Sequence, residues 1–384
     1  LGLALAVCAV ATGVLFLVHP LIFLQTVWLA TIKIDNLSVL AMIVLILVLS
    51  TSMKESGALD DLVQSVRKIF VDNRFTIGAL PAMIGLLPMP GGALFSAPMI
   101  EGLADEAEAS PEARTFLNYW FRHLWEYSWP LYPGLILESA VIGVSLISVT
   151  SFQFPLCMAA ILGGSIFGLM GVAKHFRTPL HGPQLREQLG TLIRGFWPVL
   201  LITVLYIAIL VSKINLASPF LIVLLVTVLL FGLVRIGPSR FPRLIWRAID
   251  LKLLGTVYSV LVFKDIIVVS GAVDQLSAVF RQWGVPPIAL FIAIPMLIGY
   301  LTGITHSYVS VAFPLLLPFF GDPIDLSRVQ LAYAFGFIGV LLSPVHLCLV
   351  LSAKYFEADV NGVYKRLFLP AAVVALVALG IYFT

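Results

Sequence analysis

Apolar residues run along this chain in long blocks separated by short polar stretches. Leu1–Val18, Leu37–Met53, Phe152–Val172, Phe196–Val211, Phe220–Val234, Leu253–Ser270 and Leu367–Thr384 are nearly unbroken apolar runs. At 1.5 Å per helical residue such runs approach the about 20 residues that span a bilayer, so each predicts a transmembrane helix. His19–Asn36 carries few charges and holds Trp28, which predicts an interfacial or outer loop. Lys54–Arg74 places Leu59, Leu62, Val63 and Val66 on one helical face, as an interfacial helix would.

Two apolar stretches break this rule. Leu86–Pro98 reads Leu-Leu-Pro-Met-Pro-Gly-Gly-Ala-Leu-Phe-Ser-Ala-Pro, and its prolines and paired glycines stop a helix. In lipid a broken backbone leaves peptide groups without partners, at several kcal/mol each, so the break must be buried in protein or face water. The reading is a re-entrant hairpin over residues 75–103, with Pro88–Gly92 at its tip. The acidic segment Glu101–Arg114 covers its base. Arg114–Val149 is interrupted at Pro130 and Pro133 and reads as one discontinuous helix, Arg114–Tyr127 then Leu131–Val149.

The interruptions recur. At a shift of 214 residues, Ser56-Gly-Ala-Leu-Asp60 meets Ser270-Gly-Ala-Val-Asp274, Gly85 meets Gly299, Ser96 meets Ser310, and Pro130 meets Pro344. From Ser56 to Leu137, 21 of 82 positions are identical without a gap. Shared apolar composition would give roughly a third of that, so the chain reads as a duplication. The second hairpin spans 288–320, with a small polar tip in Tyr300–Ser310. The second broken helix spans 328–352, interrupted near Leu342–His346.

Composition agrees with membrane insertion. The chain is 60% hydrophobic and 11% charged, with a mean hydropathy of +1.05. A net charge of +3, concentrated in a few loops, gives no nucleic-acid-binding signal. If the hairpins do not cross, the basic loops at 54–74, 173–194, 235–252 and 354–366 all fall on one face, the cytoplasmic one. The expected fold is an all-α polytopic membrane protein of two inverted-topology repeats. Each has a re-entrant helical hairpin and a proline-broken helix, with about nine full crossings plus two hairpins in all. Repeat 1 covers residues 1–172, a cytoplasmic loop with an unpaired linker span covers 173–214, and repeat 2 covers 215–384.

Two tips and two breaks should converge near the membrane midplane, where half-helix ends offer N–H groups to anions and carbonyls to cations. The candidate binding residues are Pro90, Gly91, Gly92 and Ser96 at the first tip, Thr302, Thr305, His306, Ser307 and Ser310 at the second, and Asn118, Glu126, Ser128 and Ser343 on the broken helices. Gly91 and Gly92 would let backbone approach a ligand. Each Ser or Thr has an alternative role in satisfying its own helix. Glu126, His306 and the one-sided pair Lys264 and Asp265 are candidates for proton or charge coupling. Arg122 and Glu126, four apart, are expected to pair. His346 is a further proton-carrier candidate, or a neutral ring making two hydrogen bonds. Cys8, Cys157 and Cys348 lie in apolar runs and show neither a disulfide framework nor CxxC spacing.

The run from Leu87-Pro-Met-Pro-Gly-Gly92 through Trp125-Glu-Tyr-Ser-Trp-Pro-Leu-Tyr-Pro-Gly134 is similar to an uncharacterised prokaryotic integral-membrane family, a domain of unknown function. With its paired hairpins and broken helices, the chain resembles the ion-transporter superfamily of secondary carriers. That group includes gluconate permeases, divalent-anion/sodium symporters and the large membrane subunit of tripartite periplasmic carriers. The Ser-Asn-Thr tip signature of the symporters is absent here. The resemblance implies an elevator mechanism, a scaffold that is usually dimeric, and binding at Pro90–Gly92, Thr302–Ser307, Glu126–Pro130 and Leu342–His346.

The functional expectation is a secondary active transporter of a small solute, an organic anion or carboxylate, driven by Na⁺ or H⁺. It would sit as a homodimer in a prokaryotic cytoplasmic membrane. No cofactor is expected beyond Na⁺ as a coupling ion at the tips. The alternatives are a passive channel or an intramembrane hydrolase built on Ser307 with His306 or Ser343 with His346. The HExxH, GxSxG and Walker motifs are absent, and the expectation is that the chain is not an enzyme.

Overall fold

Proline, glycine and short polar caps cut the apolar runs into helices. The computed structural model describes residues 1–70, 72–89, 91–172, 182–212 and 218–384. Among these there are nineteen α-helices and no strand. The first nine are α1 (Gly2–Leu15), α2 (Pro20–Ile32), α3 (Ile34–Glu55), α4 (Ala58–Ile69), α5 (Asn73–Gly85), α6 (Gly92–Glu106), α7 (Pro111–Arg122), α8 (Pro133–Ile142) and α9 (Leu146–Phe167). Next comes α10 (Gly182–Ser212). The last nine are α11 (Pro219–Phe231), α12 (Phe241–Ala248), α13 (Leu251–Val269), α14 (Ala272–Gln282), α15 (Pro287–Thr302), α16 (Thr305–Leu316), α17 (Leu326–Leu341), α18 (Leu347–Tyr355) and α19 (Val360–Phe383).

Five stretches are long and apolar enough to cross a membrane, at 34–55, 146–171, 183–208, 219–236 and 360–383. Shorter apolar helices accompany them, and the chain is an integral membrane protein. Starts follow local chemistry. Asp72, Ser110, Asp325 and Asp359 each accept a backbone N–H at the head of α5, α7, α17 and α19. Pro20 opens α2 at its first turn, so the region expected to be a loop is helical. The second part of the first broken helix is also shorter than expected. It ends at Ile142, because Gly143 adopts φ +71° and turns the chain, and Val149 belongs to α9.

The packing pairs the two sets of nine. α5 packs on α6 and α7, and α15 on α16 and α17. α6 packs on α18, and α16 on α8; α7 packs on α19, and α17 on α9. α1 and α2 pack on α13, and α11 and α12 on α3. α9 packs on α19, and α3 on α13. α10 lies on α4 and α11. The polar segments also meet across the chain. Arg235 pairs with Asp61 at 3.4 Å and Arg247 with Glu55 at 3.6 Å. Tyr355 donates to Glu101 at 2.9 Å. Lys174 and Arg177, expected in a cytoplasmic loop, lie outside the described residues, as does Pro90.

Glycines allow close approaches between helix backbones. A Cβ on Gly85 would stand 2.2 Å from the Arg122 carbonyl oxygen, and one on Gly299 would stand 2.2 Å from that of Gly336. These atoms are backbone, so a methyl forces α5 from α7 or α15 from α17. We expect Gly85→Ala and Gly299→Ala each to cost about 1–3 kcal/mol or more. Gly380→Ala, whose Cβ would meet nothing within 4 Å, should be neutral or stabilising. Thermal unfolding in detergent checks this; equal melting points for all three variants would refute it.

Candidate functional site

Proline and glycine open the backbone at four places, and the freed groups find partners there. Between α5 and α6, Gly91 adopts φ +68°. Gly303, at φ +62°, ends α15. Both positions favour glycine, since a side chain is strained there. α7 gives way after Arg122 to a 3₁₀ turn, Leu124–Tyr127, and Pro133 then opens α8. α17 stops at Leu341, and His346 precedes α18.

The carbonyls of the two tips are capped by side chains from the two breaks. Arg122 Nη2 donates to Met89 at 3.0 Å and Trp125 Nε1 to Ala82 at 2.7 Å. The Tyr132 hydroxyl donates to the Gly85 carbonyl. His346 Nδ1 bonds the Gly303 carbonyl and Ser343 Oγ the Tyr300 carbonyl, both at 2.6 Å. The carbonyls of the breaks are capped from the opposite half. The Tyr333 hydroxyl donates to Glu126 O at 2.7 Å, and the Tyr119 hydroxyl to Leu341 O at 3.1 Å. Tyr119 and Tyr333 are themselves 214 residues apart.

A cavity of about 350 Å³ lies among these elements. Gly91, Glu126, Thr302, Thr305 and His306, all expected binding residues, line it. Leu47 and Asp250 border it from outside the tips and breaks. Thr305 Oγ1 donates to Glu126 Oε2 at 2.8 Å. Gly134 permits that contact, because a Cβ there would meet Thr305 Cγ2 at 2.7 Å.

The other expected residues sit elsewhere. Ser96 donates to Asn118 Oδ1 at 2.6 Å, and Asn118 Nδ2 reaches the Ala93 carbonyl and Ser352 Oγ at 2.9 Å, tying α6, α7 and α18 together. Ser310 donates to the His306 carbonyl and Thr302 to the Ile298 carbonyl, each within its own helix. Ser307 is buried in α16. Ser128 borders a separate apolar recess with Trp125 and Trp129. Gly92 does make room for a close approach, but by the Arg122 guanidinium, which a Cβ would meet at 2.3 Å. Lys264 reaches Asp265 at 3.5 Å and the Ala140 carbonyl at 3.4 Å. It borders a different cavity, of about 660 Å³, with Lys33, Asp35 and Ser145.

The expected Arg122–Glu126 pair does not form. The 3₁₀ turn that follows Arg122 has about three residues per turn, so positions four apart no longer stack. Arg122 turns to Met89 instead, and its buried Nε has no hydrogen-bond partner. Glu126 lies 3.8 Å from His123 Nε2. Sequence reasoning passed over His123 and Cys348 as site residues. His123 and His346 meet at 3.2 Å between their Nε2 atoms, and Cys348 belongs to the same cluster. Glu138, 0% exposed and bonded to Gln153 Nε2 at 2.6 Å, is a second buried acid that was missed.

The two cross-half tyrosines should matter equally. Tyr119→Phe and Tyr333→Phe each leave a carbonyl at a break without its donor, at a cost of about 1–3 kcal/mol. Both variants should show lower melting points in detergent; two unchanged melting points would show that the breaks do not need these bonds.

A comparison with curated proteins finds no match. A family model described as a protein of unknown function, DUF401, matches residues 1–383. On that match over nearly the whole sequence, the chain belongs to the DUF401 family.

Proposed function

We propose that the protein is a secondary active transporter of a small organic anion, driven by Na⁺ or H⁺. The observation that carries this is the convergence of both tips and both breaks on one cavity of about 350 Å³. A carrier needs a small site in the protein interior, made from elements that can shift together. In this reading α5–α6 and α15–α16 are re-entrant hairpins, and the chain is built from inverted repeats with about nine crossings.

The repeat reading is supported by the exchange pattern of the packing. Each contact between α5–α9 and α15–α19 noted above has a counterpart with the halves exchanged. The paired carbonyl bonds of Tyr119 and Tyr333 follow the same exchange. The Arg235–Asp61 and Arg247–Glu55 contacts agree with basic loops gathered on one face. An anionic solute is favoured by Arg122, 3% exposed, bordering the cavity with an unpartnered Nε. The moving part would be α5–α9 with α15–α19, sliding as an elevator against α3 and α13. We place the chain in a prokaryotic cytoplasmic membrane as a homodimer, within the ion-transporter superfamily.

Proteoliposomes containing the purified protein test the reading with labelled small carboxylates under Na⁺ or pH gradients. Saturable, gradient-driven accumulation is expected. Gly92→Val should abolish it, because the new side chain displaces the Arg122 guanidinium from the cavity wall, and a melting curve checks that the variant still folds. Flux that neither saturates nor follows a gradient would overturn the carrier reading in favour of a channel.

A further inference from the structure

His123 Nδ1 lies 2.6 Å from the Tyr119 carbonyl oxygen, and His346 Nδ1 lies 2.6 Å from that of Gly303. A carbonyl only accepts, so each Nδ1 carries the proton and donates. In the neutral rings both Nε2 atoms are then bare lone pairs. They face each other at 3.2 Å, with ring centroids 5.0 Å apart and planes at 69°. Two acceptors at that distance repel unless a cation stands between them. Both rings are buried, at 2% and 9% exposure.

Cys348 completes the arrangement. Its Sγ and one ring nitrogen of each histidine lie within 4.8 Å of one another. The Glu126 carboxylate is 3.8 Å from His123 Nε2. His123 and Glu126 come from the first break, and His346 and Cys348 from the second. All four border the central cavity, which gives an ion a way in.

We propose that His123, His346 and Cys348 bind a divalent transition-metal ion of the Zn²⁺ class, with the Glu126 carboxylate as fourth ligand. The donor set selects the metal. Imidazole and thiolate suit Zn²⁺, Co²⁺ or Ni²⁺, whereas Na⁺ and Mg²⁺ take oxygen ligands. The spacing fits as well. Ligand nitrogens about 2.0–2.1 Å from a tetrahedral ion stand about 3.3 Å apart, close to the separation of the two Nε2 atoms. A coordinated sulfur would stand about 3.5 Å from each nitrogen, so binding draws Cys348 Sγ and the two rings together from within 4.8 Å. The Nδ1–H···O=C bonds are the outer contacts that fix metal-binding histidines in tautomer and direction. Thiolate and carboxylate together neutralise a dication. The site goes beyond the carrier reading and does not depend on it.

The test uses the full-length protein in detergent, stripped with a chelator, freed of any affinity tag and titrated with Co²⁺ alone. Expected are about one Co²⁺ per chain, the visible spectrum of a tetrahedral site, a thiolate-to-cobalt charge-transfer band, and displacement by Zn²⁺. Cys348→Ser, which is close in shape, should lose the charge-transfer band. His123→Gln and His346→Gln should weaken binding at least about tenfold. Melting curves of the stripped variants identify any that fail to fold, and Cys348→Ser then decides alone. No Co²⁺ binding, or a charge-transfer band that survives Cys348→Ser, overturns the site. The first result would leave a proton as the cation between the rings. Either result leaves the carrier reading to the uptake assay, and metal binding without uptake would leave the site intact.

Discussion

Backbone satisfaction at the breaks is the constraint on which the structure depends. An apolar interior does not tolerate free peptide groups, at several kcal/mol each. Each half breaks its own helix, and each half supplies the tyrosine that caps the other's break. Neither half is complete alone. The tips obey the same rule, with Arg122, Trp125, Tyr132, Ser343 and His346 spent on their carbonyls. The cavity is what remains between elements held in this way.

The ionisable chemistry sits where the two halves differ. At a shift of 214 residues, Arg122 corresponds to Gly336, His123 to Phe337 and Glu126 to Val340, while His346 corresponds to Tyr132 and Cys348 to Gly134. Positions that match, such as Gly85 with Gly299 and Tyr119 with Tyr333, serve close packing and backbone capping. A duplication can thus keep its frame while one copy of each position acquires a charge, a ring or a thiol. Glu126 and His346 come to share a cavity because the halves embrace.

The sequence made the breaks and tips legible, because Pro130, Pro133, Pro344 and the glycines at 91 and 303 act locally. It did not reveal α2, where the sparse charge pattern outweighed the start signal of Pro20. It also mistook the partner of Arg122, because the pairing rule assumed α-helical spacing through a turn that is 3₁₀. The central cluster was illegible for another reason. His123 and His346 are 223 positions apart, and Glu126 and Thr305 are 179 apart. No local spacing records such contacts. The clue that was available was the asymmetry itself, ionisable residues in one copy facing apolar or small ones in the other.

The central proposal is that equivalent parts of the two halves lie on opposite sides of the membrane. Lys68 and Gln282 stand 214 residues apart on α4 and α14, and both are exposed. Single cysteines at these positions, in a background without the native three, can be labelled with a membrane-impermeant maleimide in right-side-out and inverted vesicles. The account predicts that Lys68→Cys reacts only from the cytoplasmic side and Gln282→Cys only from the other. Labelling of both from the same side would contradict it.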